Sequence, residues 1–546
     1  MKTILIIGSG IAGMSAAISL AEQGIHSVLV SPFPSERSQS VMAAGGINAA
    51  LDHLDEGDSV ESHIQDTLKG GCYIAGQTAV EGLCRTAPDT IRWLESLGTV
   101  FTLNKNGKID QRAFGGQSHK RTCYAGSSTG KQIVSALVME CRRFEAKGLI
   151  ERKTWYDFHS GLIRDGRCYG ALLYNEAFRT LEPIYADAVI MATGGQNALF
   201  GKTTGSTQCD GYAAGRLFMQ GAELKNLEFI QYHPTTLETS QKRMLISEAA
   251  RGEGGRLYYL ENGKRVYFME DLYGPKGNLM PRDVVSRAMY ETGKDIFLDV
   301  SFLGKDVIDS RLPEVRDLCK KYRGIDITKE SIPVSPSVHF FMGGLAVDNQ
   351  HETNIRNLFA IGECASIYHG ANRLGGNSLL AAIHGGKTAA SCIANRSEET
   401  AAEAPDFTAF IQAENQKLSD SMQSQSQFPV MYIRDLVAEN MWDLLGIVRD
   451  EETLDRGIDE LTYYISIAEK IHYDSSVLAY FNYSLVGILT LAKATLISAK
   501  ERRESRGAHY RSDHPQTDEA FQYASVIRYD EGAYTVRLDK EGRYER

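Results

Sequence analysis

The chain has 546 residues, of which 43% are hydrophobic and 23% charged, and a formal net charge of -10 at pH 7. That length can bury a large core, which we expect to form two or three domains. The negative charge argues against nucleic acid as a main partner. No uninterrupted apolar run reaches the roughly 18 residues of a membrane span. Because the first strand begins at once, we also expect no signal peptide.

The first 23 residues predict a strand, a glycine turn and a helix. Residues 4–7 are apolar throughout, as in a parallel strand buried on both faces. The sequence G-x-G-x-x-G follows, made by Gly8, Gly10 and Gly13 with Ile11 and Ala12 between the last two. This context predicts dinucleotide binding; the alternative is a glycine turn that binds nothing. Ser31 stands where an acidic residue usually binds the ribose, so the motif leaves the dinucleotide open.

Two later apolar strands, at residues 188–191 and 358–361, also run into glycine. Three such strand ends from distant parts of the chain suit an extended dinucleotide such as FAD. We predict an α/β fold (α+β overall), with a Rossmann-like FAD-binding domain, an inserted capping domain and a C-terminal helical domain. The predicted bounds are 1–225 and 346–396 for the FAD-binding domain, 226–345 for the capping domain, 396–406 for a linker, and 407–546 for the helical domain and a tail with a hairpin near 526–537.

The nine cysteines contain no C-x-x-C spacing. Iron–sulfur, zinc and c-type haem ligation therefore lack their usual pattern, and we expect reduced thiols and no metal. Any metal that carries electrons would then belong to another chain.

Four stretches concentrate side chains suited to dicarboxylates: residues 231–235, residues 247–255, residues 281–283, and residues 338–344 together with 369–378. Each has a plain structural alternative. His233 and His339 could be hydrogen-bonded core histidines, Glu248 and Arg251 a surface helix pair, and Arg282 part of a solvated ion pair. Arg373 among glycines is the most suggestive, because arginine makes bidentate contacts with carboxylates.

These motifs resemble the flavoprotein subunits of fumarate reductase and succinate dehydrogenase, and the related L-aspartate oxidases, over residues 1 to about 515. The resemblance rests on Gly8 to Gly13, Phe229 to Thr235, Ser247 to Gly255, Pro281 to Asp283, His339 to Gly344, His369 to Ser378 and Glu504 to His509.

The resemblance implies a role for each matching residue. Arg282 would give a proton to one alkene carbon while flavin N5 gives hydride to the other, and Glu248 and Arg251 would relay protons to Arg282. The implied substrate site comprises His233, Ser247, His339 and Arg373, with Phe114, Gly375 and Gly376 beside them. The implied FAD site comprises Gly8, Gly10, Ile11, Ala12, Gly13, Ser31, Ser38, Gly45, Gly46, Asp210, Glu363, Ser378 and Leu379.

Two departures concern the flavin. Covalent family members carry a flavin-linked histidine where this chain has Gln39, so we expect non-covalent FAD, and Ala44 replaces the Gln or Glu often found before the glycine pair. The main alternative function is L-aspartate oxidation; those enzymes have a glutamate where this chain has Phe114 and tend to have Ala-Ser at positions 375–376. Oxidation or reduction of another dicarboxylate and a non-enzymatic flavin-binding or assembly protein are the further alternatives.

The resemblance also implies partners and a location. Fumarate and succinate would be the substrates, and an iron–sulfur subunit would exchange electrons with the flavin. That subunit could connect the chain to a membrane anchor. We therefore expect a cytoplasmic protein that can lie peripherally on the inner face of the cell membrane.

Overall fold

The computed structural model describes residues 2–126, 128–239, 242–396, 404–423, 430–468 and 479–540. Most of the predicted linker at 396–406 lies outside these residues. The first part of the chain contains β1 (Thr3–Ile7), α1 (Ile11–Glu22), β2 (His26–Ser31), β3 (Ile47–Asn48), α2 (Val60–Gly70), α3 (Gln77–Arg85), α4 (Ala87–Ser96), β4 (Gln111–Arg112), β5 (Thr122–Cys123), α5 (Thr129–Glu145), β6 (Ile150–Thr154), β7 (Tyr156–Arg164), β8 (Arg167–Asn175), β9 (Thr180–Tyr185), β10 (Ala188–Met191), α6 (Tyr212–Met219) and β11 (Leu224–Lys225).

The middle part is mostly an antiparallel sheet with short helices. It contains β12 (Ile230–Glu238), β13 (Arg243–Leu245), α7 (Ala249–Gly252), β14 (Arg256–Glu261), β15 (Lys264–Val266), α8 (Phe268–Tyr273), α9 (Arg282–Thr292), β16 (Ile296–Asp299), α10 (Lys305–Arg311), α11 (Pro313–Arg323), β17 (Ile332–Phe341) and β18 (Gly344–Ala346). Six of these strands form one sheet in the order β13-β12-β17-β16-β14-β15.

The last part returns to the first sheet and then becomes helical. It contains β19 (Leu358–Ala360), β20 (Ala365–Ser366), α12 (Asn377–Asn395), α13 (Thr408–Gln423), α14 (Val430–Leu444), α15 (Glu451–Ala468), α16 (Ala479–Glu501), β21 (Ala524–Asp530) and β22 (Ala533–Asp539).

The central sheet is parallel, with strand order β19-β10-β1-β2-β6. Its three middle apolar strands come from residues 3–7, 26–31 and 188–191, and they are buried because helices cover the sheet. Helices α1 and α12 pack so closely that a Cβ on Gly386 would lie 2.8 Å from the Ala12 carbonyl oxygen. The predicted α/β class is confirmed by this arrangement.

The hairpin predicted near residues 526–537 is present and is formed by β21 and β22. Strand β21 pairs with β11, through Leu224 and Ile527, in a second sheet of order β20-β18-β11-β21-β22. The tail therefore completes a sheet with β11 and also packs on helix α16. The physical reason is that short β11 has an edge whose backbone groups need a partner.

Helix α16 is long and apolar enough to cross a membrane by length and composition alone, but most of its apolar stretch is buried inside the protein. It packs against α6 and α15. Core helices of globular proteins meet the same test, and the burial of α16 makes it part of the core.

Candidate active site

Strand β1 ends in the predicted glycine turn. Gly8 has a φ of +111°, and a Cβ on Gly13 would lie 1.9 Å from the Gly8 carbonyl oxygen. The residue before α1 is Gly10, which has no side chain that could cap the helix. Of the N–H groups in the first helical turn, that of Ile11 donates to Ser40 Oγ at 3.2 Å. The remaining N–H groups and the positive end of the helix dipole can therefore bind a phosphate.

The polar side chains predicted around the cofactor are used in different ways. The Ser31 hydroxyl accepts from Ser9 Oγ at 2.8 Å and donates to the Phe33 carbonyl at 2.7 Å. Ser38 Oγ is buried without a hydrogen-bond partner among the described residues. Glu363 Oε1 accepts from the backbone N–H of Phe341 at 3.1 Å, and burial raises the pKa of Glu363 to about 7. Ser38 and Glu363 thus retain hydrogen-bonding capacity.

The Asp210 carboxylate is hydrogen-bonded to the C-terminal helices. Its Oδ1 accepts from the Tyr212 N–H at 3.0 Å, and its Oδ2 accepts from Arg434 Nη2 and the Tyr480 hydroxyl, both at 2.8 Å. Asp210 Oδ2 is thus bound by side chains of α14 and α16. A cofactor contact by Asp210 stays a prediction, and its arginine and tyrosine partners are distant in sequence.

The glycine pair at 45–46 packs against the Cys123 backbone and the Phe114 ring. Gly46 has a φ of +135°, and a Cβ on Gly45 would lie 3.0 Å from the Phe114 ring. Arg112 stabilises this loop, since its Nη2 donates to the Ala44 carbonyl and its Nε to the Gly45 carbonyl, both at 3.1 Å. Arg112 was not among the predicted site residues, although its neighbour Phe114 was.

The start of α12 brings the later glycine motif to the same place. Gly376 precedes the helix with a φ of +84° and no side-chain cap among the described residues, and Ser378 and Leu379 lie in the first turn. A Cβ on Gly375 would lie 3.3 Å from Arg282 Nη2 and 2.8 Å from the Phe114 ring. Gly375 therefore lies beside the arginine that the sequence selects as the acid.

Arg282, at the start of α9, forms a buried pair with Glu248, just before α7. Arg282 donates to Glu248 Oε2 from Nε at 2.9 Å and from Nη2 at 2.7 Å. Glu248 Oε1 accepts from the Gly115 N–H at 2.7 Å and lies 3.5 Å from Arg251 Nη2. Burial opposes ionisation, but the charges of Arg282 and Arg251 outweigh it and lower the pKa of Glu248 to about 2. The surface-pair and solvated-pair alternatives are wrong for these residues, which are all at least nine-tenths buried.

Gln231, on strand β12, connects this pair to Arg373. Its Oε1 accepts from Arg282 Nη1 and from Arg373 Nη2, both at 2.9 Å. Arg373 also lies over the Phe340 ring, with Cζ 4.3 Å from the ring centroid, and its Nε has no hydrogen-bond partner among the described residues. Gln231 lies in a predicted stretch but was not selected as a site residue. Its signal was its spacing of two from His233, which places both on one face of a strand.

The two predicted histidines lie together, with ring centroids 5.1 Å apart. Nδ1 of His339 is 2.8 Å from Thr204 Oγ1, and Nδ1 of His233 lies 3.2 Å from the Thr235 carbonyl oxygen. Burial, together with the charge of Arg282, holds the pKa of each histidine well below its usual range. Both rings are therefore neutral near pH 7. The Ser247 hydroxyl, also buried, accepts from the N–H two residues later at 3.3 Å.

Known proteins fit this architecture. A model described as an FAD binding domain matches residues 3–379, and one described as the fumarate reductase flavoprotein C-terminal part matches residues 434–543. The open helix terminus, the unpaired Ser38 hydroxyl and the Glu363 carboxyl fit such a cofactor. The chain is an FAD-dependent oxidoreductase.

Relatives extend the match to the whole chain. The chain is 37% identical to the succinate dehydrogenase flavoprotein subunit of Bacillus subtilis (95% of this chain, 92% of the relative) and 34% identical to the fumarate reductase flavoprotein subunit of a Serratia species (94% of this chain, 90% of the relative). A structure of the E. coli quinol fumarate reductase FrdA superposes with a TM-score of 0.89 at 32% identity, covering 98% of this chain and 97% of that one. The chain belongs to the fumarate reductase and succinate dehydrogenase flavoprotein subunit family, and the predicted family is confirmed.

Proposed function

We propose that this chain interconverts fumarate and succinate. The observation that carries the proposal is the arrangement around Arg282: a buried arginine held by Glu248, with Arg373 and two neutral histidines close by. A small dianion needs several fixed donors in a dry site, where charge interactions are stronger than in water. Arg373, His233, His339 and Ser247 supply such donors for two carboxylates.

FAD supplies a two-electron reductant or oxidant at flavin N5 when it is bound. The chain's own contribution is the proton. Arginine is a weak acid, so Arg282 can donate only while a carbanion develops beside it and only if it regains its proton quickly. Glu248 lies in hydrogen-bond contact with Arg282 for this purpose, and Arg251 lies behind Glu248.

The low pKa of Glu248 is compatible with that relay. It results from the charges of Arg282 and Arg251, which outweigh the opposing effect of burial. When Arg282 gives up its proton, its charge disappears and the proton affinity of Glu248 rises. Glu248 can then take a proton from the Arg251 side and pass it to Arg282, and the ion pair is restored.

Phe114 favours this reaction over oxidation of L-aspartate. The amino group of aspartate would need a carboxylate or other acceptor, whereas the Phe114 ring, packed on Gly45 and Gly375, offers none. L-aspartate oxidation is the second candidate. It is favoured by the overall resemblance and by the absence of a flavin-linked histidine at position 39.

We further propose that FAD is held without a covalent bond and that a separate iron–sulfur subunit exchanges electrons with it. That subunit could hold the chain on the inner face of the cell membrane. Two observations support a separate electron carrier. The matched relatives are named as subunits, and the nine cysteines, all in described parts of the chain, are free thiols without cluster spacing.

One assay series tests the function. FAD-loaded protein is given fumarate with reduced viologen, and in parallel succinate or L-aspartate with an artificial acceptor. We expect turnover with fumarate and succinate and none with L-aspartate. Turnover of L-aspartate without turnover of fumarate or succinate would identify the chain as an L-aspartate oxidase and overturn the proposal.

A further inference from the structure

A chain of three polar side chains extends beneath the two active-site arginines. Asn372 Nδ2 donates to Asp283 Oδ1 at 2.7 Å. Gln231 Nε2 donates to Asn372 Oδ1 and to the Arg373 carbonyl oxygen, both at 2.7 Å. Gln231 Oε1 then accepts from both Arg282 and Arg373 at 2.9 Å. Gln231 and Asn372 are buried, so each unmade hydrogen bond there would be costly.

The two ends of this chain determine its direction. An amide side chain has a donor end and an acceptor end of nearly equal shape, so its neighbours decide which way it points. Arg282 and Arg373 can only donate, and they require the carbonyl oxygen of Gln231. At the other end Asp283 Oδ1 accepts, and it therefore requires the NH₂ group of Asn372. Only one orientation of each amide satisfies both ends, and the Arg373 carbonyl oxygen, which can only accept, favours the same orientation of Gln231.

We propose that Asp283 is a positioning residue for the reaction: through Asn372 it keeps the carbonyl oxygen of Gln231 between Arg282 and Arg373. The inference rests on the proposed function. Two like-charged guanidinium groups repel each other, and the shared oxygen fixes their separation. A reversed Gln231 would present NH₂ to both arginines and release them. A displacement of about 1 Å in such a site costs on the order of 10²-fold in rate.

Asp283 also has a plain structural role to exclude. It lies in the first turn of α9, where an acidic residue interacts favourably with the helix dipole. Asp306 occupies the same place in α10 and is exposed. Asp306→Asn therefore serves as the matched control for loss of that favourable interaction alone.

The test exchanges the two ends of the Asp283–Asn372 hydrogen bond. In Asn372→Asp a carboxylate replaces the donor and faces Asp283, and their repulsion moves residue 372 away from Gln231 Nε2. We therefore expect kcat/KM for fumarate to fall about 10²-fold, with kcat and KM both affected. Asp283→Asn alone keeps an acceptor, so its loss should be smaller. In the double variant D283N/N372D the new amide at 283 donates to the new carboxylate at 372, which still accepts from Gln231. We expect activity within about tenfold of the native protein.

Thermal unfolding of the FAD-loaded proteins gives a readout that does not depend on turnover. We expect a lower Tm for Asn372→Asp and recovery in the double variant. Losses that add in the double variant, in activity and in Tm, would overturn the inference, as would equal effects of Asp283→Asn and Asp306→Asn. If native protein fails to act on fumarate, the proposed function fails, and recovery of Tm still decides whether Asp283 orients the amides.

Discussion

Arg282 donates two hydrogen bonds to a single carboxylate oxygen, Oε2 of Glu248, from Nε and from Nη2. Its remaining Nη1 donates to Gln231. A guanidinium with every nitrogen engaged in this way has one orientation, and the adjacent Gly375 leaves space beside Nη2. Under the proposed function, the Glu248 carboxylate bound to Arg282 is the group that restores its proton.

Replacement of this arginine should abolish turnover without unloading the cofactor. Arg282→Ala and Arg282→Lys should lose more than the roughly 10²–10⁴-fold usual for a general acid, because Arg282 is the one proton donor that the proposed mechanism provides. The absorbance spectrum of bound FAD should stay unchanged. Arg92→Ala, which removes an exposed arginine of α4 paired with Asp89, is the control for the loss of an arginine elsewhere. Near-normal activity in Arg282→Ala would remove it from the proton step.

Loss of Arg373 should raise KM and lower kcat together, since the same contacts bind and orient the substrate. Arg373→Ala also removes one of the two donors on Gln231. Arg396→Ala, just beyond α12 and paired with Glu352, controls for the loss of an arginine elsewhere. The measurement is steady-state kinetics with fumarate, and an unchanged KM would exclude Arg373 from carboxylate binding.

The sequence predicted what depends on local pattern. The turn after β1 could be predicted from sequence because each part requires one residue type. A strand buried on both faces requires apolar residues, as at 3–7, and the close packing of helix on turn requires glycine at position 13. Arg282, Glu248 and Arg373 were selected through family motifs, since charge type and spacing alone leave a surface pair equally acceptable. Burial, which separates these alternatives, is a tertiary property.

The remaining features depend on distant partners. Gln231 has no chemistry of its own, and its importance comes from two arginines 51 and 142 residues away. Asp210 is committed to Arg434 across 224 residues. The pairing of β21 with β11 likewise joins segments whose sequences give no sign of each other. Such contacts follow from topology and not from local periodicity.

Glu363 should make the stability of the cofactor-free protein depend on pH. Burial raises its pKa from 4.5 to about 7, so the folded state binds this proton more tightly than the unfolded state. The associated stability is present below the unfolded pKa and is lost as pH rises through the folded pKa, by at most about 3 kcal/mol. Between about pH 5 and about pH 8, the free energy of unfolding of Glu363→Gln should therefore rise relative to that of the native protein. Urea unfolding at both pH values measures this difference, with Glu61→Gln as an exposed control. An equal change in unfolding free energy for native protein and Glu363→Gln would contradict the prediction.

The isolated chain should carry flavin and no iron. Its cysteines are free and lack cluster spacing. Burial raises the pKa of Cys84 and of Cys168 to about 12, which disfavours the thiolate that binds metal. Purified alone, the chain should show only flavin absorbance. Iron analysis decides the matter, because stoichiometric iron in the single chain would contradict the proposal of a separate iron–sulfur subunit.

Gln39 should leave the flavin unattached. A histidine at this position could attack the flavin 8-methyl carbon and form a stable bond, whereas an amide nitrogen is not nucleophilic enough. In the structure Gln39 begins a short helical turn, and its Oε1 is buried without a hydrogen-bond partner among the described residues. That oxygen can accept a hydrogen bond but cannot form the covalent link.

An unattached flavin also affects the preferred direction of the reaction. Attachments and hydrogen bonds around the ring system tune the flavin potential, and we expect an unattached flavin here to have a lower potential than a histidyl-linked one. A lower potential favours electron donation to fumarate over removal of electrons from succinate. Acid denaturation followed by centrifugation tests the attachment, with a histidyl-linked flavoprotein as the control that must pellet with its flavin. Yellow, fluorescent flavin should remain in the supernatant here, and flavin in the pellet would show that the inference from Gln39 is wrong.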